Sequence, residues 1–80
     1  PETMISFALK QDAKATLIIY NSMGKKVKTL LKNTNIEKNV VHNILWNGQD
    51  DRGQYVSSGV YFYTLTAGNY SDTKKMILLQ

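Results

Sequence analysis

Apolar residues recur along this chain at every second position, and nowhere do they hold the i, i+3, i+4, i+7 spacing over the roughly ten residues that an amphipathic helix needs. A period of two places alternate side chains on opposite faces of a strand, so the chain is expected to be all-β. The first strand reads from Thr3 to Leu9, with Ile5, Phe7 and Leu9 on one face and Ser6, Ala8 and Lys10 on the other. The segment QDAK then turns the chain. The second strand, Ala15 to Tyr20, sets Ala15, Leu17 and Ile19 against Thr16, Ile18 and Tyr20; both faces are apolar, so it is expected at the centre of a sheet and covered on both sides. Asn21-Ser22-Met23-Gly24 supplies turn residues, Gly24 being free to take positive φ, and a third strand is expected from Lys26 to Leu31.

The next eight residues, KNTNIEKN, are polar and asparagine-rich and read as a loop across the molecule with Ile36 as a plug. Strand four, Asn39 to Trp46, sets Val40, His42, Ile44 and Trp46 against Val41, Asn43 and Leu45. NGQDDRGQYVSSG has loop composition, with a tight turn expected at Asp51-Arg52-Gly53 and a short extended piece at Gln54 to Val56. The fifth strand, Val60 to Thr66, places Tyr61, Tyr63 and Leu65 on one face. Ala67-Gly68-Asn69 signals a hairpin into a sixth strand that starts near Tyr70.

Six to seven short strands separated by turn signals, without a helix, imply an antiparallel β-sandwich of two sheets. Eighty residues suffice for one domain, taken as 1–80. Its core is expected to gather Phe7, Leu17, Ile19, Ile44, Trp46, Tyr61, Tyr63 and Leu65. The segment Gly59 to Tyr63 has the spacing of the tyrosine corner of immunoglobulin-like strands, in which a Tyr hydroxyl returns to nearby backbone, with Tyr63 where antibody domains place a cysteine.

Hydrophobic residues at 42% and charged residues at 20% exclude the disordered class. The net charge of +4 comes almost wholly from lysine, Arg52 being the lone guanidinium, and the lysines are scattered as pairs such as Lys25–Lys26 and Lys74–Lys75. Nucleic-acid recognition favours arginine forks and clustered basic faces, so no nucleic-acid partner is expected; the lysines read as solubilising charge on sheet surfaces and edges, a weak affinity for anionic surfaces being left open as the alternative. No run approaches the roughly 18 apolar residues of a membrane-spanning helix, and PETMISFALK lacks the pattern of a signal peptide, so export would be directed by another part of a longer chain.

Chemistry-bearing residues are few. Without cysteine, and with His42 as the only imidazole, neither a thiolate nor a histidine zinc site can be assembled. His42 sits mid-strand with no Ser/Asp partner pattern and reads as a core-edge histidine. Asp50 and Asp51 point to different sides of an extended chain; with Asn47 they form an oxygen-rich loop, but their spacing matches no EF-hand, and turn capping is the reading they support. No enzyme, no cofactor and no metal is expected. Tyr20, Tyr55 and Tyr70 are the aromatics left over from the core and therefore the candidate ligand platform.

TMISFAL, ATLIIYNSMGKKVKTL, HNILWNGQDDRGQYVSSGVYFYTL and TKKMILL, in that order, resemble the C-terminal sorting domain of proteins exported by the type IX (Por) secretion system and the related immunoglobulin-like domain of flagellar hook-capping proteins. NTNIEKNVV departs by lacking the glycine turn usual there, and Gln80 stands where a basic residue is common. The resemblance implies a non-catalytic C-terminal module of a larger secreted protein, ending after its final strand at a natural C-terminus. Such a module is read in the periplasm by the outer-membrane translocon, reaches the cell surface or exterior, and is removed or used for attachment to surface lipopolysaccharide. It further implies a partner-binding surface on the strands containing Gly59, Val60 and Tyr61 and Lys74, Lys75, Met76, Ile77, Leu78 and Leu79. Two other readings stay open: a structural or carbohydrate-binding accessory module of a secreted glycoside hydrolase, and a hook-capping scaffold flanked by assembly segments.

Overall fold

A computed structural model describes residues 2–80. Those residues form six strands and no helix: β1 (Thr3–Phe7), β2 (Ala13–Asn21), β3 (Lys26–Ile36), β4 (His42–Trp46), β5 (Gly59–Ala67) and β6 (Tyr70–Leu78). β1 pairs with β4, while the other four form a sheet in the order β3-β2-β5-β6, and every pairing is antiparallel. A two-stranded ribbon is marginal on its own, so β1–β4 depends on the apolar face it lays against the larger sheet. The alternation read from the sequence decides that face: Ile5 and Trp46 are buried and Phe7 and Ile44 partly so, packed against Leu17, Ile19, Tyr61, Leu65 and Leu78. Tyr63 is half-buried beside them.

Trp46 occupies the centre at 0% exposure. Its indole Nε1 donates to the Gln49 carbonyl at 2.9 Å, and its ring meets Tyr61 edge-on with centroids 5.3 Å apart. The Tyr61 hydroxyl in turn donates to the Ser57 carbonyl at 2.6 Å, closing the expected tyrosine corner. Each buried ring thus spends its polar atom on loop backbone, which fixes residues 47–58 against the end of the sandwich.

Five expectations need correction. β3 does not stop at Leu31 but runs through Lys32–Asn35 to Ile36, pairing Ala15 with Thr34, Lys14 with Asn35 and Ala13 with Ile36. Polar residues are tolerated there because β3 is an edge strand, and Asn33 at φ 45 absorbs a register shift in the one backbone region that asparagine tolerates better than most residues. Ile36 does plug the core, at 6% exposure. β4 begins at His42 rather than Asn39, since Asn39 turns at φ 59 while its amide donates to the Leu9 carbonyl at 2.8 Å; Val40 and Val41 therefore stand exposed outside the strand.

At the other junction, Ala13 and Lys14 of the QDAK segment already belong to β2, and β1 closes at Phe7 although Leu9 is buried. Finally, β2 is central but is not covered on both sides: Ala15, Leu17 and Ile19 are sealed, whereas Thr16, Ile18 and Tyr20 are half-exposed on the outer face of the sheet. The two sheets form one buried layer between them, and it takes only one face of β2.

Candidate functional site

The oxygen-rich loop is built for folding. Asp50 Oδ1 accepts from the Arg52 amide at 2.9 Å and from the Gln54 amide at 3.0 Å, and the Gly53 amide donates to the Asp50 carbonyl at 2.9 Å, which makes the turn at 50–53. Asp51 Oδ1 accepts from the Thr29 amide, and its own amide donates to the Val27 carbonyl, each at 3.1 Å, so the loop clips onto β3. Asn47 Oδ1 accepts from the Gln49 amide at 3.1 Å. All three side chains are committed to backbone donors, and among the described residues no group of three or more His, Asp or Glu side chains comes together as a metal site. His42 stacks on Phe7 with centroids 5.6 Å apart, and its Nε2 lies 3.2 Å from the Glu37 carbonyl, to which it donates. That contact holds the imidazole at the sandwich edge, and among the described residues the ring has no carboxylate or hydroxyl partner.

The segments expected to bind a partner form one hairpin. Every residue of β6 is in register with β5, from Ala67↔Tyr70 at the turn to Gly59↔Leu78 at the far end. The Ala67–Tyr70 pair closes a two-residue loop, Gly68-Asn69, and such a closing pair is hydrogen-bonded. The alternation that follows turns the backbone groups of Tyr70, Asp72, Lys74, Met76 and Leu78 towards β5 and those of Ser71, Thr73, Lys75 and Ile77 towards the open side. The 2.8 Å hydrogen bond between the Thr64 and Thr73 hydroxyls fits the closer side chains of a non-hydrogen-bonded pair. β6 is the last strand of its sheet, so that second set of amides and carbonyls forms a free edge. Of the expected partner residues, Tyr61 and Leu78 are buried and Gly59 and Met76 half-buried, leaving Val60, Lys74, Lys75, Ile77 and Leu79 exposed.

The three leftover tyrosines do not make one platform. Tyr70 lies beside the β5–β6 turn, at the end where Ala15 pairs with Ala67, and it lines a cleft of about 620 Å³ with Lys10, Gln11, Asp12 and Asn69. Tyr55 bridges to Gln49 in the loop clipped to Val27 and Thr29, at the opposite end of the sheet. Tyr20 stands on the outer sheet face beside Phe62.

One residue with a structural role carried no signal in the sequence. Gln80 donates its amide to Ser58 Oγ at 2.8 Å, and its Nε2 donates to the carbonyls of Val56 at 2.7 Å and Gly48 at 3.2 Å. It ties the segment after β6 to the 47–58 loop and thereby fixes where the free edge ends.

The FlgD Ig-like domain family matches residues 2–71. No curated protein and no solved structure matches the chain. Since the family match runs from β1 through β5 into the start of β6, which is most of the sandwich, the chain belongs to the FlgD Ig-like domain family.

Proposed function

We propose that this domain is a non-catalytic sorting module, carried by a larger exported protein and read by the outer-membrane translocon of a type IX secretion system on the way through the periplasm to the cell surface or exterior. The observation that supports the reading is the open edge of β6, nine residues long, with Lys75 and Ile77 among the residues turned to it. A partner strand can add to such an edge by main-chain pairing, and Lys74 and Lys75 give an acidic partner its direction. Arg52 apart, no guanidinium competes with lysine for that role. The loop carboxylates are occupied by backbone amides, and among the described residues His42 meets only a backbone carbonyl, which argues against an enzymatic role.

The test is a soluble reporter bearing an inner-membrane export signal and this domain at its end, expressed in a type IX-competent host. Reporter is expected outside the cell. Lys75→Pro removes an amide that points to the open side and should abolish export while the domain still folds, since proline is tolerated on the solvent side of an edge strand. Export of the Lys75→Pro fusion at the parent level would refute strand addition, and retention of the unmodified fusion would refute sorting. The second reading, a carbohydrate-binding accessory module, draws on the cleft beside Tyr70. Saturable binding of a soluble oligosaccharide, lost on Tyr70→Ala, would favour it.

A further inference from the structure

The outer face of the four-stranded sheet departs from what a solvated face should carry. An antiparallel sheet with one face on the core normally alternates apolar-in and polar-out. Here the outward positions of β2, β5 and β6 include Ile18, Tyr20, Val60, Phe62 and Ile77. Register makes them neighbours: Tyr20 lies across from Phe62, and Val60 from Ile77. Val60 is 38% exposed and Ile77 65%, and the β2–β3 turn at the same end of the sheet lifts Met23 into solvent at 90%.

Lysine brackets this strip. In one row across all four strands the register runs Lys26, Tyr20, Phe62, Lys75, so an aromatic pair is flanked by an ammonium on each side. None of the outward positions of β2, β5 or β6 is acidic; Asp72 shares the opposite face, across from Leu65, and the Asp51 carboxylate at the β3 margin accepts from the Thr29 amide.

We propose that this strip docks on an anionic lipid surface, with Met23, Val60, Phe62 and Ile77 entering the interfacial layer and Lys26 and Lys75 pairing with phosphate headgroups. The composition separates that occupant from the alternatives. Protein interfaces are enriched in Tyr, Phe and Met as well as in arginine and tryptophan, so Tyr20, Phe62 and Met23 do not discriminate; lysine does, since such interfaces deplete it and this face carries Lys26 and Lys75 with no arginine. A second copy would bring like charges together. Lysine with aromatic and aliphatic side chains is the set that membrane interfaces favour, because long lysine stems lie along apolar surface while the ammonium reaches headgroups. The inference is independent of the sorting reading, as the domain and vesicles suffice to examine it.

The experiment is co-sedimentation of the 80-residue domain with large vesicles, either phosphatidylcholine alone or phosphatidylcholine mixed with phosphatidylglycerol. The domain is expected to sediment with the mixed vesicles at low salt, to remain free of the neutral ones, and to be released as salt shortens the screening length below about 10 Å. Lys26→Gln and Lys75→Gln should each weaken binding about fivefold. Ile77→Ser should weaken it at least about fivefold through lost insertion. Lys10→Gln, in the turn after β1, changes net charge equally and should have little effect. Lys10→Gln matching Lys75→Gln, or Ile77→Ser binding as the parent does, overturns the assignment by reducing it to net charge. Absence of binding to the mixed vesicles at low salt also overturns it and returns the strip to a protein partner.

Discussion

Removing one oxygen atom interrogates the corner that joins the core to the 47–58 loop. Tyr61→Phe keeps the ring, which is 7% exposed and edge-on to Trp46, and deletes only the hydroxyl that donates to Ser57 at 2.6 Å. A hydrogen bond of this kind contributes about 0.5–1.5 kcal/mol net, and the figure rises only when the abandoned acceptor is sealed from water. Ser57 is exposed, so water can reach its carbonyl and the loss should stay near 1 kcal/mol. In a domain of this size that lowers the thermal midpoint by about 4–8 °C. With a urea slope near 1 kcal/mol/M, it moves the urea midpoint by about 1 M without changing the slope. The fluorescence of Trp46, the lone tryptophan, reports the transition directly. Tyr63→Phe is the control, since the Tyr63 hydroxyl makes no hydrogen bond among the described residues. Equal midpoints for Tyr61→Phe and the parent, or an equal loss in Tyr63→Phe, would show that the Tyr61–Ser57 hydrogen bond does not hold the loop.

Asp50→Ala frees the Arg52 and Gln54 amides and should cost about 1 kcal/mol; faster hydrogen exchange at those two amides, without change at the Thr64 amide, would be the local signature. Trp46→Ala empties the centre of the core and should cost about 3–5 kcal/mol, seen by circular dichroism as loss of a cooperative melt.

The parts of this structure readable from residue order are those where burial and alternation coincide. Ile5, Leu17, Ile19, Trp46, Tyr61 and Leu65 all point inward because a period of two leaves one face apolar. The tyrosine corner was legible for a related reason, a Tyr placed shortly after a glycine-bearing turn. Lys32–Asn35 misled because asparagine content reports contact with water, and an edge strand meets water as a loop does. The apolar outer face of β2 was visible, but its uncovered state was not, since alternation counts faces and does not count layers. The free edge of β6 depends on strand order, which no local pattern carries. Gln80 was beyond reach because its three bonds go to main-chain and hydroxyl groups of a distant loop.

The fold stands on the Trp46 and Tyr61 rings being consumed by the interior, and the proposed recognition then falls to the exterior of the sandwich. Acrylamide quenching of Trp46 fluorescence measures that burial, because the lone indole is 0% exposed. A blue-shifted emission that resists acrylamide until urea unfolds the domain is the expected result. Quenching of the folded domain as efficient as that of the unfolded chain would mean that the indole is open to water and the sandwich core is not built around it.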